Sequence, residues 1–244
     1  MVIIHDKRLP DKYLKALADK CGACVFFSFS GPRPGGCTVY DSILCHPDIY
    51  FFQIAGDTLI FSPSIEREDA DELKKNGIRL IRGEARPHGR YPCTAPYNAL
   101  RAGDNFFHKT ACTDSVILER VKEAGLRLVD VKQGYTRCSA VFINDNAVIT
   151  SDGSIAAVAE RESIDVLFIP PGSITLPGEI YGFIGGASGR MPDGTTVFLG
   201  DIETHPEFPG IRDFFVKHEK RYIDLKGLPL YDAGSLIICD SYLG

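Results

Sequence analysis

The sequence lacks the features that mark membrane proteins, secreted proteins and nucleic-acid-binding proteins. No stretch approaches the roughly 18 consecutive apolar residues that a membrane-spanning helix needs. The N-terminal segment, MVIIHDKRLPDK, has neither a long apolar region nor a small-residue cleavage site, so we expect no signal peptide. The formal net charge is −5, so a basic surface for nucleic acid is not expected. These absences predict a cytoplasmic protein that binds neither membrane nor nucleic acid.

The cysteine pattern lacks the second close pair that would complete a zinc site. The chain has eight cysteines, and without a secretion signal reduced thiols are favoured over a disulfide scaffold. Cys21 and Cys24 have CxxC spacing, but they lie at a predicted helix-to-strand junction, where cysteine often serves as a small buried hydrophobe. We interpret this pair as structural, with a redox or metal-binding role as the alternative. We expect no metal and no cofactor.

The composition that is present suits a globular protein with a core. Hydrophobic residues make up 44% of the 244 residues and charged residues 24%, which are ordinary proportions for such a protein. The length allows two average domains or one large closed domain.

The stretch from Gln133 to Asp152, QGYTRCSAVFINDNAVITSD, contains a polar loop followed by two short β-prone runs. The runs are residues 140–143 and 147–150, and an Asn-Asp-Asn turn separates them. Because Asn and Asp tolerate the positive φ angles of tight turns, the pattern predicts a β-hairpin. A helix over 154–161 and a strand over 165–169 are predicted to follow, which makes a ββαβ unit.

The same ββαβ order recurs along the chain. Two Ala-Gly-Asp turns precede helices that end at a glycine, and the spacing from Gly56 to Gly77 nearly equals that from Gly103 to Gly125. The other predicted hairpins are 48–62, 98–109 and 181–200. They are followed by predicted helices over 65–75, 114–124 and 208–218, and by predicted strands over 78–81, 126–131 and 222–225.

The two ends of the chain each supply part of a fifth unit. Residues 235–239 supply one predicted strand, while the N-terminal region supplies a strand over 2–5, a helix over 11–20 and a strand over 24–29. If the two ends share one unit, they close a ring. Repeats at this spacing in a closed ring are typical of a propeller.

Five ββαβ units about an axis resemble the pentein fold of the guanidino-group-modifying enzymes. That superfamily includes arginine and agmatine deiminases, dimethylarginine hydrolases, amidinotransferases and a ribosome-binding translation factor that is not an enzyme. The resemblance implies an α/β fold, a five-fold pseudosymmetric propeller, formed as one domain over residues 1–244. It also implies that the loops leading into the hairpins face one central cleft. These leading loops are residues 45–48, 96–98, 133–139, 181–189 and 232–235.

In the deiminases of this superfamily, a cysteine thiolate attacks the guanidinium carbon, a histidine transfers protons and acidic residues hold the cation. Cys239 is similar in placement to that nucleophile. Residues 233–239 have the length of the agmatine deiminase pattern Gly-Gly-Gly-x-Ile-His-Cys and match it at Gly234, Ile237 and Cys239. The alternative for Cys239 is a small residue at the end of a buried strand.

Asp48 and His46 are candidates in the first leading loop. Asp48 is similar in placement to the aspartate that holds the guanidinium in the resembled enzymes. His46 is a candidate acid/base, since an unperturbed histidine has a pKa of about 6.5. The alternative is a structural turn, in which Pro47 sets the bend and Asp48 caps the start of the strand.

The third leading loop departs from the resembled pattern. The catalytic Gly-His-Val-Asp-Glu-Phe aligns without gaps onto residues 134–139, which places Tyr135 at the histidine and Arg137 and Cys138 at the acidic pair. An arginine there repels a guanidinium and suits a carboxylate or phosphate. Either the substrate is not a guanidine, or the catalytic groups lie elsewhere on the ring.

Cys138 is the second candidate nucleophile, because the neighbouring Arg137 favours a thiolate. A thiol packed under the hairpin is the alternative. The remaining substrate-binding candidates lie in the leading loops: Asn98, Gln133, Tyr135, Arg137, Gly185, Gly186 and Asp232.

The glycine-rich segment 181–189 has two interpretations. Its backbone amides can form a nest for an anion, or its glycines let strands approach closely. We favour the second interpretation. His108 is expected to end an exposed hairpin strand, and we assign no role to it or to His88, His205 and His218.

Two functions follow from these candidates. The first is a cysteine-dependent hydrolase or transferase that acts on a guanidino or related small molecule in the central cleft. The second is a non-catalytic pentein that binds an anionic small ligand or a protein partner. The enzyme has the slight preference, by analogy with a fold whose members are mostly enzymes. The sequence does not indicate an oligomeric state.

Overall fold

Five small three-stranded sheets and six helices make up the described chain, which comprises residues 1–33 and 39–241 of a computed structural model. In every sheet the first two strands are antiparallel and the third is parallel to the second, with a helix between the second and third strands. The predicted ββαβ unit is therefore confirmed. Cys37 lies outside the described residues.

The elements follow in chain order. The strands are β1 Val2–Asp6, β2 Val25–Phe29, β3 Phe51–Ala55, β4 Thr58–Phe61, β5 Arg79–Arg82, β6 Leu100–Ala102, β7 Asn105–His108, β8 Arg127–Asp130, β9 Ala140–Asn144, β10 Ala147–Thr150, β11 Asp165–Phe168, β12 Ser188–Arg190, β13 Thr196–Phe198, β14 Tyr222–Ile223 and β15 Ile237–Cys239. The helices are α1 Asp11–Cys21, α2 Arg67–Lys75, α3 Ser115–Glu123, α4 Thr136–Ser139, α5 Gly153–Arg161 and α6 Phe208–Lys217.

The two ends of the chain share one sheet. We number the sheets I (β15-β1-β2), II (β3-β4-β5), III (β6-β7-β8), IV (β9-β10-β11) and V (β12-β13-β14). In sheet I, β15 is antiparallel to β1, with Cys239 opposite Val2 and Ile237 opposite Ile4. The prediction that both ends contribute to a fifth unit is therefore confirmed.

The predicted elements differ from the observed ones mainly at their ends. The helix predicted over 65–75 begins at Arg67, because residues 62–65 form a turn in which the Ile65 N–H donates to the Ser62 carbonyl. The strand predicted to begin near Asp48 begins at Phe51, because Pro47–Ile49 forms a short 3-10 turn. The turn places the side chains of residues 46–48 ahead of sheet II.

The core consists of five apolar clusters, each shared by two sheets. Adjacent residues of one strand point to opposite faces, so Phe51 packs in the cluster of sheets I and II while Phe52 packs in that of sheets II and III. Two further clusters join sheets III with IV and IV with V. The fifth joins Val197 of sheet V with Ile3 of sheet I. Burial on both faces explains why these strands are almost continuously apolar.

The prediction that His108 ends an exposed hairpin strand is wrong, because this residue is fully buried at the end of β7. Its Nε2 donates to the Gly134 carbonyl at 2.8 Å, because a carbonyl can only accept, and its Nδ1 lies 2.7 Å from the Thr113 hydroxyl. Burial lowers the pKa of His108 from 6.5 to about 4. This neutral side chain ties sheet III to the start of the third leading loop.

Within residues 1–33 and 39–241, no helix is long and apolar enough to cross a membrane.

Replacing His108 with Gln should make the free energy of unfolding less sensitive to acid. An unfolded histidine takes up a proton near its ordinary pKa of about 6.5, whereas the folded state keeps His108 neutral until about pH 4. This contribution is complete above pH 6.5 and is lost as the pH falls to 4. The loss is about 3 kcal/mol, at about 1.4 kcal/mol per pKa unit. Urea unfolding at pH 7 and pH 4 measures it.

The matched control is His88→Gln, because His88 is exposed. That variant should lose as much stability between pH 7 and pH 4 as the wild type. An equal loss in the wild type and in His108→Gln would contradict the role given to His108.

Candidate functional site

Four of the five leading loops line one cleft with a volume of about 500 Å³. Its polar lining includes His46 from the first loop, Tyr135 and Cys138 from the third, and Asp232 from the fifth. Apolar residues, among them Leu176 and Phe183, form much of the rest. A concave, mostly apolar site with a few convergent polar groups is typical of a small-molecule site. We call this site the cleft.

The Cys138 thiol lies at the floor of the cleft in a network of buried polar groups. It donates to Asp48 Oδ2 at 2.9 Å and accepts from Asn98 Nδ2 at 3.1 Å. Asn98 also accepts from the backbone N–H of Cys138 at 3.1 Å, so its side chain holds both the main chain and the sulfur of that residue. The fifth leading loop contributes Ser235, whose hydroxyl donates to Asp48 Oδ2 at 2.7 Å.

Asp48 is the centre of this network. Its Oδ2 accepts from a thiol and a hydroxyl, whereas its Oδ1 is buried with no hydrogen-bond partner among the described residues. Its backbone N–H donates to the Gly234 carbonyl at 3.2 Å, and its own carbonyl accepts from Asn98 Nδ2 at 3.2 Å. A buried carboxylate oxygen without a donor is costly, so this oxygen is suited to a donor group of a ligand.

The surroundings hold Cys138 in its thiol form. Burial raises its pKa well above the ordinary value, and the nearby charges of Asp48 and Asp232 raise it further. The expectation that Arg137 makes Cys138 a thiolate is therefore wrong, because burial and two carboxylates outweigh one cation. A cation bound in the cleft would oppose the two carboxylates and favour the thiolate.

Arg137 does not line the cleft, although it adjoins Cys138 in sequence. Both residues lie in α4, a single helical turn, where successive side chains point about 100° apart. The Arg137 side chain lines a second, smaller cavity between the sheets. The repulsion between this arginine and a guanidinium, expected from the alignment, therefore does not arise in the cleft.

His46 and Asp232 come from two different leading loops, and both line the cleft. His46 is 2% exposed, its Nε2 lies 3.8 Å from Asp6 Oδ2, and its Nδ1 has no hydrogen-bond partner in the described part of the chain. Asp232 accepts from the backbone N–H groups of Phe183 at 2.8 Å and Gly234 at 3.0 Å. Burial raises the pKa of Asp232.

The glycines of the fourth leading loop permit close packing. A side chain at Gly186 would overlap the Asp232 carboxylate, and one at Gly185 would overlap backbone carbonyls of residues 137–140. The Gly186 N–H donates to the Cys138 carbonyl at 3.0 Å. This supports the close-packing interpretation for both glycines, and neither is among the residues that line the cleft. Their predicted contact with substrate stays a prediction.

Cys239 lies away from the cleft, in β15 among apolar side chains of sheets I and II. Burial raises its pKa to about 12. Its role as a nucleophile stays a prediction, and the geometry favours Cys138. Gln133 is also outside the cleft, where its amide donates to Asp152 at 2.9 Å and so ties the third leading loop to the start of α5.

Tyr135 lines the cleft, and its side chain is held by a hydrogen bond and a ring contact. Its hydroxyl makes a short hydrogen bond with the Thr94 hydroxyl, and its ring packs on Tyr91 at 5.4 Å between centroids. Burial raises the pKa of Tyr135. It occupies the position of the resembled histidine without offering a group that titrates near neutrality.

Glu179 and Ser235 are among the site residues that the sequence did not identify. Glu179 lines the cleft, and its carboxylate accepts from Ser42 at 2.7 Å, but it lies in a segment without a recognisable motif. Ser235 lies in a predicted leading loop, and its φ of 64° is unusual for a residue other than glycine. No local pattern indicates its bond to Asp48, which spans most of the chain.

The CxxC pair packs against the core. Cys21 ends α1 and Cys24 precedes β2, and both contact the cluster that joins sheets V and I. Burial raises the pKa of Cys21 to about 11. Both features support the structural interpretation of the pair.

Several solved structures that are similar to this chain are guanidino-modifying enzymes. The chain is similar to dimethylarginine dimethylaminohydrolase from Pseudomonas aeruginosa, solved as a cysteine-to-serine mutant with citrulline, at 12% identity over 92% of this chain and 91% of that chain, with a TM-score of 0.52. The chain is also similar to C. jejuni agmatine deiminase, at 9% identity over 94% of this chain and 90% of that chain, with a TM-score of 0.52. A third similar structure is the inosamine-phosphate amidinotransferase of Streptomyces griseus, at 12% identity over 95% of this chain and 80% of that chain, with a TM-score of 0.53.

All three relatives are penteins, so the fold of this chain is the pentein fold, as the repeats predict. Within that fold, the chain belongs to a family of unknown function (DUF6873), whose sequence profile matches residues 4–237. A search of curated protein sequences found no match.

Replacing Asp48 with Asn should make Cys138 more reactive toward iodoacetamide. The wild-type thiol should react slowly at pH 7, because its raised pKa leaves little thiolate. Asn is isosteric but uncharged, so it removes one of the two carboxylates that oppose the thiolate. The pKa of Cys138 should fall and the thiolate fraction should rise, so we expect labelling to be about tenfold faster. Peptide mass spectrometry measures the rate at each cysteine.

Cys93 is the internal control, because it is exposed and should label at the same rate in both proteins. An unchanged rate at Cys138 in Asp48→Asn would show that the carboxylate does not control the thiol. Circular dichroism of the variant establishes that the fold is intact.

Proposed function

We propose that the chain is a cysteine-dependent hydrolase or transferase that acts on a guanidino or related cationic small molecule in the cleft. One observation carries the proposal: the Cys138 thiol lies at the cleft floor, hydrogen-bonded to the buried carboxylate of Asp48 and close to the charge of Asp232. The names of the structural relatives, a dimethylaminohydrolase, a deiminase and an amidinotransferase, support the same reaction class.

The proposed chemistry uses the cation to activate the thiol. A guanidinium in the cleft, next to Asp232 and to the thiol that is bonded to Asp48, would offset the negative charges of both carboxylates and so favour loss of the Cys138 proton. The sulfur then bonds to the guanidine carbon, and a nitrogen leaves with a proton as ammonia or an amine. Attack by water breaks the carbon–sulfur bond, releases a ureido product and returns the thiol. In a transferase, an acceptor amine replaces water.

His46 is the proposed proton carrier for these steps. It lines the cleft, and its Nδ1 has no partner among residues 1–33 and 39–241, so one ring nitrogen is free to accept or donate. Tyr135 does not serve this role, because its raised pKa keeps the hydroxyl protonated.

We also propose that the five sheets close into a propeller and form one domain over residues 1–244 of a cytoplasmic protein. The cyclic order of the apolar clusters supports closure, since each cluster joins one sheet to the next and the last joins sheet V to sheet I. The oligomeric state is not part of the proposal.

The second candidate function is non-catalytic binding of a small ligand. Two observations favour it: the raised pKa of Cys138 leaves the resting sulfur protonated, and the position of the resembled catalytic histidine holds Tyr135. A binding protein of this kind would retain its ligand after Cys138→Ala and would turn over no guanidine.

The enzyme proposal predicts that one of the two candidate cysteines is needed for turnover. We expect release of ammonia or an amine from at least one of agmatine, arginine and the methylarginines. Cys138→Ser should lower kcat by at least a thousandfold, because a neutral hydroxyl is a far weaker nucleophile. Cys239→Ser, in the buried strand, is the matched control and should retain turnover if it folds. Loss of turnover in folded Cys239→Ser alone would reverse the assignment.

The cleft lining predicts which guanidines bind. The lining contains Glu179 and Asp232 but no lysine or arginine among the described residues, so a substrate carboxylate has no cationic partner there. We expect kcat/KM for agmatine to exceed that for arginine by about tenfold or more, which corresponds to about 1.4 kcal/mol. Glu179→Gln should reduce the ratio of the two kcat/KM values, because it removes one negative charge that repels the carboxylate of arginine. A preference for arginine would contradict the prediction.

A further inference from the structure

A second cavity lies between the sheets, apart from the cleft. Its volume is about 130 Å³, and the first strand of every sheet contributes to its wall. Representative lining residues are Phe52 of β3, Phe142 of β9, Ser188 of β12 and Ile237 of β15. This space has room for several waters or one small ion. We call it the inter-sheet cavity.

The inter-sheet cavity is positive, although the chain carries a formal net charge of −5. Arg101, Arg137 and Arg190 line it, and Asp48 is the one acidic residue in the described lining. One oxygen of the Asp48 carboxylate is engaged, since Oδ2 accepts from Cys138 and Ser235, while Oδ1 has no hydrogen-bond partner among the described residues. Three guanidinium groups against one carboxylate make this partly open cavity, in which the Arg190 side chain is 38% exposed, a favourable place for an anion.

Two of the three arginines have most of their hydrogen-bond donors unused. A guanidinium offers five N–H donors, yet Arg137 makes one long hydrogen bond in the described chain, from Nη2 to the Leu236 carbonyl at 3.5 Å. Arg190 approaches Asp145 only at 3.8 Å. Arg101 differs, because its donors serve the carbonyls of Gly103 and Ile54.

Arg137 is partly removed from water beside one carboxylate and a second arginine. The residue is half-buried; burial lowers the pKa of Arg137, the charge of Asp48 raises it, and the charge of Arg190 lowers it. Removing a charge from water without pairing it is unfavourable. Planar guanidinium groups bind tetrahedral and carboxylate oxygens through paired N–H donors, so an oxyanion would satisfy both arginines at once.

We propose that the inter-sheet cavity is a binding site for a small tetrahedral oxyanion of the size of phosphate, held between Arg137 and Arg190. Arg101 contributes charge from a fixed position. The volume excludes nucleotides and other larger phosphate esters from complete enclosure. The site is distinct from the cleft and does not depend on the function proposed for the cleft.

The two sites are coupled through adjacent residues. Asp48 lines the inter-sheet cavity and also bonds to the Cys138 thiol, which lines the cleft. A bound oxyanion would neutralise Arg137 and add negative charge near Cys138, so it would disfavour the thiolate. Phosphate should therefore slow the reaction of Cys138 with iodoacetamide.

The test measures binding of inorganic phosphate to the full chain by isothermal titration calorimetry and thermal unfolding. Sulfate and acetate replace phosphate in parallel arms, and sodium chloride matches the ionic strength. We expect phosphate and sulfate to bind and to raise Tm, because a ligand that binds the folded state stabilises it. Acetate should bind more weakly. No effect beyond that of sodium chloride would overturn the proposal.

Variants locate the site. Arg190→Gln should weaken phosphate binding by at least tenfold, and Arg137→Gln should abolish it if the variant folds. Arg212→Gln is the control, because Arg212 is exposed on α6 and pairs with Asp213 at 2.8 Å. Retention of wild-type affinity in Arg190→Gln would overturn the proposal.

A second measurement separates the inter-sheet cavity from the cleft. Alkylation of Cys138 fills the cleft floor and should leave phosphate binding within about threefold of the unmodified chain. Loss of binding on alkylation, with no loss in Arg190→Gln, would place the anion in the cleft and overturn the proposal.

Discussion

The hydrogen bonds of Asp48 are the interaction on which the site depends. The residue lies in the short 3-10 turn ahead of sheet II. It bonds to Asn98 ahead of sheet III, Cys138 ahead of sheet IV and Gly234 and Ser235 ahead of sheet I. These partners are far apart in the sequence, so one buried carboxyl residue sets the relative positions of four loops. The cost of burying its charge is offset only while these partners remain in place.

The fold could be predicted from the sequence because its signals are local and repeated. Turn residues mark each hairpin, glycine ends several helices, and the spacing between them recurs, so the ββαβ units and the shared fifth unit were predictable. The first and last residues of the helices and strands were less predictable, because they depend on turns such as the one at Pro47. His108 was mistaken for an exposed residue, since the loop that covers it comes from elsewhere in the chain.

The site was predictable as a set of loops but not as a set of contacts. His46, Asp48, Asn98, Cys138 and Asp232 all lie where the leading loops meet. The choice between Cys138 and Cys239 needed three dimensions, because both are buried thiols near the ends of strands. The alignment also placed Arg137 beside the substrate, whereas one helical turn directs it into a different cavity. Side-chain direction within a single turn is not visible in a gapless alignment.

The pairing of β1 with β15 has a consequence for how the chain acquires its structure. These strands are more than 200 residues apart in the sequence, so their contact closes a long loop, and contacts of high sequence separation form slowly. Until they meet, β1 lacks its antiparallel neighbour and leaves one edge open. An unpaired strand edge is a template for pairing with another molecule. A newly made chain is therefore most exposed to aggregation just before its two ends come together.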